Sequence, residues 1–401
     1  MSAHRGGVAL GAVALVAAIA SGSRALGVVG VGFLLAGGVT WFWAWLVDRP
    51  VHVVHGFEPS LATEGDVVRV ALGVQRRSRM PLGSLTVRLI VGKVGTCSCR
   101  MRGHGGMAKG GVTLGPLSRG LYELSDPRVV FGDLLGLVTV APPVVCDPAT
   151  LVVRPRLTAL DGLYSDAGRA AGDGRRILLR RAAGFDFHSV REYEQGESLR
   201  RVHWPTSARR GQLMVKELED TAHDGVVVIL DCDPRYAVGD PPDSSFDAAV
   251  RVAGSLVQAH AVRGRAVTLV STGGTRAVIP VRSAAAHLDG AVSSLAAAEP
   301  DALDGLGRFL AGDHSWTSSG ELAVVTATTD AGAFVQVLAL SARRLVSVVW
   351  IDAASFASRP TRVEPGLLRL SAHGVPTAVV RRGDDLATVL GARSLEAVAR
   401  A

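Results

Sequence analysis

Apolar positions run unbroken through two early stretches, residues 6–22 and 25–47, with only Ser23-Arg24 between them. At 1.5 Å per residue the 23-residue stretch reaches roughly 34 Å, enough for a hydrocarbon core of about 30 Å, and the 17-residue stretch is near the lower limit. The pattern predicts a transmembrane helical hairpin within residues 1–50. Trp41, Trp43 and Trp45 are suited to the headgroup level, and Asp48-Arg49-Pro50 ends the helix. A competing reading makes Arg5, the first stretch and Ala18-Ile19-Ala20 a cleavable signal peptide, with the second stretch left as an anchor. Either reading leaves the rest of the chain in the cytoplasm, and the first makes it a multi-pass cell-membrane protein.

From residue 51 to 155 the texture becomes short alternating strands broken by Gly and Pro: 67–74, 85–91, 112–114, 120–124, 129–131 and 151–153. Val68, Val70 and Leu72 share one face, and no helical period intervenes, so an antiparallel β-sandwich is expected. Residues 92–111 are glycine-rich and hold Cys97, Cys99, Met101, His104 and Met107. Soft metal ligands can be read there, but the spacing matches no closed four-ligand site, and a mobile hairpin loop is the expectation. Residues 156–220 read as a polar connector. Beyond them, strands at 226–230, 266–270, 322–326, 345–351 and 377–380 alternate with helices at 246–262, 283–298 and 384–400. Continuous apolar strands alternating with helices predict an open α/β domain over 221–401, with ligands expected at the strand C-terminal ends.

Charge sharpens one region. The whole chain carries +7, and residues 175–216 alone hold ten Lys or Arg against four acids. Within them lies Arg191-Glu192-Tyr193-Glu194-Gln195-Gly196-Glu197-Ser198-Leu199-Arg200-Arg201-Val202-His203-Trp204-Pro205-Thr206-Ser207-Ala208-Arg209. This string resembles the signature of the DUF58 family, R-x-Y-x-x-G-D-x-x-R-x-I-x-W-x-x-x-A-R, over residues 184–209. Arg191, Tyr193, Gly196, Arg200, Trp204, Ala208 and Arg209 match; Glu197 stands for the usual Asp and Val202 for Ile. Arg119-Gly120-Leu121-Tyr122 and Asp133-Leu134-Leu135-Gly136-Leu137 also resemble family segments, with Leu134 in place of Pro. Physically, Arg191, Arg200 and Arg209 with Glu194 and Glu197 suit a structural clamp of bidentate pairs. The alternatives are an anion site and a partner-protein contact.

Asp231-Cys232-Asp233-Pro234-Arg235 follows the first α/β strand and resembles the start of a von Willebrand factor A metal site, D-x-S-x-S, with only Asp231 matching. Asp233 and Asp330 supply oxygens to a degenerate site, but Arg235 occupies a ligand position and brings positive charge without a lone pair. No cofactor is therefore expected, a divalent metal such as Mg²⁺ being the opposed alternative, and Arg235 is expected to pair with Asp231 or Asp233. Ser271-Thr272-Gly273-Gly274 lacks phosphate-loop spacing and reads as a turn. His188 and His203 are packed or surface histidines before they are general bases. No phosphate-loop, G-x-S-x-G hydrolase, H-E-x-x-H zinc-protease or deaminase motif occurs, and the basic stripe lacks the interleaved aromatics of a nucleic-acid surface, so no nucleic-acid partner is expected. Anionic membrane lipid is a compatible contact.

These readings combine into a membrane-anchored, non-catalytic scaffold or adaptor. The family resemblance implies a MoxR-type AAA+ ATPase as partner, alongside other membrane-complex components. The alternative is an enzyme or sensor binding an anionic ligand through the Arg-rich signature.

Overall fold

A computed structural model describes residues 2–75, 83–102, 107–133, 138–165, 189–192, 204–217, 225–274, 277–281, 285–312, 320–360 and 363–391. The chain divides into two compact units, residues 1–154 and 155–401.

The first unit opens with helices α1 (Ser2–Ser21) and α2 (Arg24–Val47). Gly22 turns the chain at φ +66°, and the Ser23 side chain accepts from the Leu26 N–H to cap α2. The helices meet through small residues. A Cβ on Gly30 would stand 2.9 Å from the Leu15 nitrogen and 3.1 Å from the Gly11 carbonyl oxygen. Among the described residues, α2 is the one helix long and apolar enough to cross a membrane, which makes it a candidate anchor or signal sequence. The apolar part of α1, Val8–Ser21, is shorter.

After α2 come β1 (Val51–Glu58), β2 (Ala62–Thr63), β3 (Val68–Gln75), β4 (Ser84–Val91), β5 (Gly95–Arg100), β6 (Met107–Leu114), β7 (Gly120–Gly132), β8 (Thr139–Val140), β9 (Val144–Cys146) and β10 (Ala149–Arg154). One sheet has the order β6-β3-β1-β9 and the other β2-β10-β7-β4-β5, with β8 paired to β7. Their inward residues share one core: Val53, Val70 and Leu72 from the first sheet, and Val87, Leu89, Phe131 and Val153 from the second. Trp43 and Val47 of α2 join it.

Two expectations change here. Much of the glycine-rich segment expected as a loop forms β5 and β6, because Cys97, Cys99 and Met101 alternate inward against exposed Thr96, Ser98 and Arg100. The two expected strands at 120–124 and 129–131 are a single strand, β7. Its register against β4 shifts between Arg88 and Ile90, and Asp126 adopts φ +47° in β7.

The second unit begins with residues 155–165 laid over the domain that follows. Thr158 N–H donates to Ser255 Oγ at 2.9 Å, and Tyr164, buried, bonds through its N–H to the Leu390 carbonyl. Then β11 (Ser189–Glu192) pairs antiparallel with β12 (Met214–Glu217), with α3 (Trp204–Arg210) between them in sequence.

A six-stranded sheet follows: β13 (Val226–Leu230), β14 (Val267–Ser271), β15 (Ala277–Val281), β16 (Glu321–Thr326), β17 (Leu345–Ile351) and β18 (Thr377–Val380), in the order β15-β14-β13-β16-β17-β18. All neighbours are parallel except β14 and β15. Helices α4 (Ser245–Val262), α5 (Ala285–Ala297), α6 (Leu306–Ala311), α7 (Ala331–Ser341), α8 (Pro365–Ala372) and α9 (Leu386–Leu390) complete it. Val226, Val228 and Leu230 enter the core formed with α4, while Val227 and Ile229 enter the core formed with α6 and α7. Both faces are covered, which is why the strand carries no polar alternation. Ser244 and Asp247 form a capping box that starts α4. Of the helix expected at 384–400, residues 384–391 are described, and Leu386–Leu390 is helical among them.

Candidate functional site

Parallel strands leave their C-terminal ends on one edge of the sheet, and the acids of the second unit gather there. Asp231 follows β13 and is 6% exposed. Its Oδ2 accepts from Thr326 Oγ1 at 2.6 Å and its Oδ1 from the Asp233 N–H at 3.2 Å. Burial pushes its carboxyl up to about 6, against the downward pull of those two hydrogen bonds. Thr326 Oγ1 also accepts from the Thr328 N–H, and the Thr328 carbonyl accepts from the Trp350 indole at 2.9 Å.

Asp233 behaves differently. Burial alone would raise it, but the Arg235 guanidinium and backbone N–H hold it below the usual carboxylate range. Arg235 Nε donates to Oδ1 at 3.0 Å and Nη2 to Oδ2 at 2.5 Å. Of the two acids expected as partners for Arg235, the structure therefore selects Asp233. Asp330 caps α7, its Oδ1 accepting from the Gly332 N–H at 3.0 Å. Each of the three acids read as a degenerate metal site thus accepts from the chain's own donors. Among the described residues no group of three His, Cys, Asp or Glu side chains could hold a metal ion.

The turn after β14 is a small carboxylate cradle. Gly274 N–H donates to Asp301 Oδ1 at 3.0 Å, and a Cβ on Gly273 would stand 2.7 Å from that oxygen. Thr272 Oγ1 accepts from the Cys232 N–H, and Cys232 Sγ lies 3.1 Å from Ser271 Oγ; burial raises the thiol.

Sequence reasoning missed Asp352, which follows β17 and is 1% exposed. Neither of its oxygens has a hydrogen-bond partner, and Arg381 Nε stands 3.5 Å from Oδ2. The available signal was an acid placed directly after a strand apolar but for Ser347, much as at Asp231.

The Arg-rich signature is described in part. Arg191 lies in β11 opposite Val215, Trp204 opens α3, and Arg209 is exposed near its end. Ser207 Oγ accepts from the Met214 N–H at 2.8 Å, fastening α3 to β12. Tyr193, Gly196, Glu197 and Arg200, with Glu194, His188 and His203, lie outside the described residues. In the first unit, Asp133 Oδ1 accepts from the Val138 N–H at 3.0 Å, while Tyr122 Oη donates to the Ser118 carbonyl.

A doubly covered sheet with buried acids along its carboxyl edge, preceded by a strand–helix–strand signature, is the class the geometry defines. Residues 189–310 match the family described as "Protein of unknown function DUF58". The chain is 26% identical over 196 residues to the "Uncharacterized protein YeaD" of Bacillus subtilis, covering 49% of this chain and 47% of that protein. The chain thus matches about half the length of this relative. Both findings support the DUF58 resemblance. Among solved structures, a type I cohesin from Pseudobacteroides cellulosolvens aligns at TM-score 0.19 and 12% identity, over 27% of this chain and 96% of its own. The Cwp6 protein of Clostridium difficile aligns at TM-score 0.15 and 9% identity, over 87% and 51%. Likeness at that level carries no argument about fold or function.

Proposed function

We propose that this protein is a membrane-anchored, non-catalytic adaptor whose two soluble units face the cytoplasm and whose second unit docks a protein partner, a MoxR-type AAA+ ATPase. The observation that carries this reading is that three acids of the carboxyl edge, Asp231, Asp233 and Asp330, are already engaged by the chain's own donors. Asp233 is bound bidentately by Arg235, Asp330 caps α7, and Asp231 is buried beneath Thr326. Donors already engaged within the chain leave little unspent charge for a reactant.

Three finer assignments belong to the same proposal. Counted within the domain, the strand order is 3-2-1-4-5-6 with the third strand antiparallel, which supports a von Willebrand factor A-like domain. Two sheets around one core support a β-sandwich, and the paired α1 and α2 support a membrane hairpin. Exposed apolar side chains, Val335 on α7, Leu368 on α8 and Val363 just before it, offer a contact face on adjacent helices.

Co-purification from detergent extract tests the docking. The wild-type chain is expected to carry a MoxR-type ATPase, and a Val335→Asp/Leu368→Asp variant that still folds is expected to lose it. If that variant and Arg191→Ala both keep every partner of the wild type, the adaptor reading fails.

A further inference from the structure

We infer that Arg100, Arg102 and Lys109, on the edge where the two sheets of the first unit meet, seat on anionic phospholipid headgroups of the membrane that α2 enters. The inference rests on reading α2 as an anchor, and it names the side of the unit that meets lipid. Residues 67–122 hold ten Lys or Arg and no Asp or Glu, whereas all eight acids of residues 1–154 lie outside that stretch. The stretch supplies β3, β4, β5 and β6. β6 borders one sheet and β5 the other, and the antiparallel bridge of Arg102 with Lys109 joins them. Positive charge without acid is thereby gathered on one side of the unit.

Strand alternation turns that charge outward. Cys97, Cys99 and Met101 pack toward the core, so Arg100 and Arg102 leave the opposite face, and both are exposed, as are Lys109 and Arg88 of β4. Arg102 and Lys109 stand directly across from each other, a like-charge pairing that costs stability until an anion neutralises it. Arg88 stands opposite Arg128, whose guanidinium is taken by Asp126 at 2.8 Å. Among the described residues no carboxylate pairs with Arg88, Arg100, Arg102 or Lys109. The second unit ties its exposed Arg235 to Asp233, whereas these cations keep their charge for something outside the chain.

Register fixes how far they lie from the anchor. α2 delivers the chain to Val51, the first residue of β1, where Val54 aligns with Gly73 of β3, and Gly73 with Lys109 of β6. Lys109 is therefore about 10 Å along the strand direction from the level of Val51. That distance is close to the Debye length of about 8 Å at physiological ionic strength, so Lys109 and Arg102 act on the surface α2 enters. Exposed Arg49, between α2 and β1, adds a cation at the same end. Anionic headgroups are a continuous negative surface at that end, matched in sign and already adjoining the anchor.

Photo-crosslinking of the full-length chain in vesicles tests the contact. Benzoylphenylalanine is placed either at Met107, 42% exposed and level with His52 near the start of β1, or at Leu61, 66% exposed beyond the end of β1. In phosphatidylcholine vesicles containing about one-third phosphatidylglycerol, lipid adduct at 107 should exceed that at 61 by about threefold or more. In phosphatidylcholine alone the excess should vanish. Arg102→Gln/Lys109→Gln should remove it in the anionic vesicles, while Arg69→Gln/Lys93→Gln, which removes equal charge at the far end of the strands, should leave it. Resistance to alkaline carbonate extraction reads the anchor separately. A chain released by carbonate removes the anchor reading and this inference together. A retained chain whose adduct at 107 ignores phosphatidylglycerol, or survives Arg102→Gln/Lys109→Gln, overturns the inference alone, as does loss of a co-purified protein from that variant with the lipid adduct unchanged. Should the variant fail to fold, the comparison of the two lipid mixtures decides.

Discussion

Asp231 is a carboxyl group that the folded chain holds in its neutral form far above the pH at which an unfolded chain would release the proton. Its value rises from 3.8 to about 6 because burial outweighs the hydrogen bonds from Thr326 and the Asp233 N–H. The sign follows from linkage. Stability from the bound proton is complete below the unfolded value, fades as pH climbs toward the folded value and is gone above it, a difference of about 3 kcal/mol. Asp231→Asn mimics the neutral form and keeps an oxygen for one donor. Thermal unfolding of the detergent-solubilised chain should show wild-type Tm falling between pH 5 and 7.5, while the variant loses less and ends higher at pH 7.5. A wild-type Tm independent of pH across that window would contradict the assignment. Asp233, two residues on, has the opposite character because a guanidinium rather than apolar packing is its nearest neighbour. Adjacent acids of identical chemistry are set apart by what covers them.

At the scale of elements, α1 and α2 depend on glycine at the crossing. Gly27 and Ala18 face each other closely enough that a Cβ on Gly27 would stand 3.8 Å from the Ala18 Cβ, a separation suited to a disulfide. Ala18→Cys/Gly27→Cys in the full chain should therefore cross-link on mild oxidation, as read by peptide mass mapping. Adding Gly30→Ile, whose Cβ meets Leu15 backbone, should cut the yield by about half or more, since backbone cannot yield as a side chain can. An unchanged yield would mean the helices pack elsewhere. The same scale shows what was legible in the sequence. β13, β17 and β18 fall on their expected residues because a strand covered on both faces is a bare apolar run with sharp polar ends. β5 and β6 were obscured, since seven glycines and small polar residues over 92–111 dilute the alternation that the pairing with β4 and β3 restores. β1 was missed for a similar reason, with His55 interrupting its inward face and exposed Val54 and Gly56 blurring the outward one. β15, α6, α7 and α8 were absent from the expectation because short edge and covering elements take their form from the sheet they pack against. At the carboxyl edge, Asp231, Asp233, Arg235 and Asp330 could be singled out along the chain. The choice of Asp233 by Arg235 and the burial of Asp352 depend on side-chain placement that spacing does not encode.

For the whole molecule, orientation is the property that decides which partners are reachable. Two apolar stretches, or one cleaved and one retained, both predict that residues 51–401 stay on the cytoplasmic side. A green fluorescent protein fused after residue 401 should then fluoresce in cells, and an alkaline phosphatase fused at the same point should be inactive. The reverse pair of results would place the soluble units outside and remove an ATP-driven partner from consideration.

Only Asp48, Arg49 and Pro50 separate the last residue of α2 from the first of β1, and β1 is an interior strand of its sheet. Three residues of fully stretched backbone reach about 10 Å. The tether is shorter than a headgroup layer and a protein domain combined, and Trp43 and Val47 are already lodged in the β core. If α2 is an anchor, this unit has no leash on which to swing out. It stands on the bilayer like a post set in its footing, and whatever binds it must fit the low clearance beneath or approach from the side.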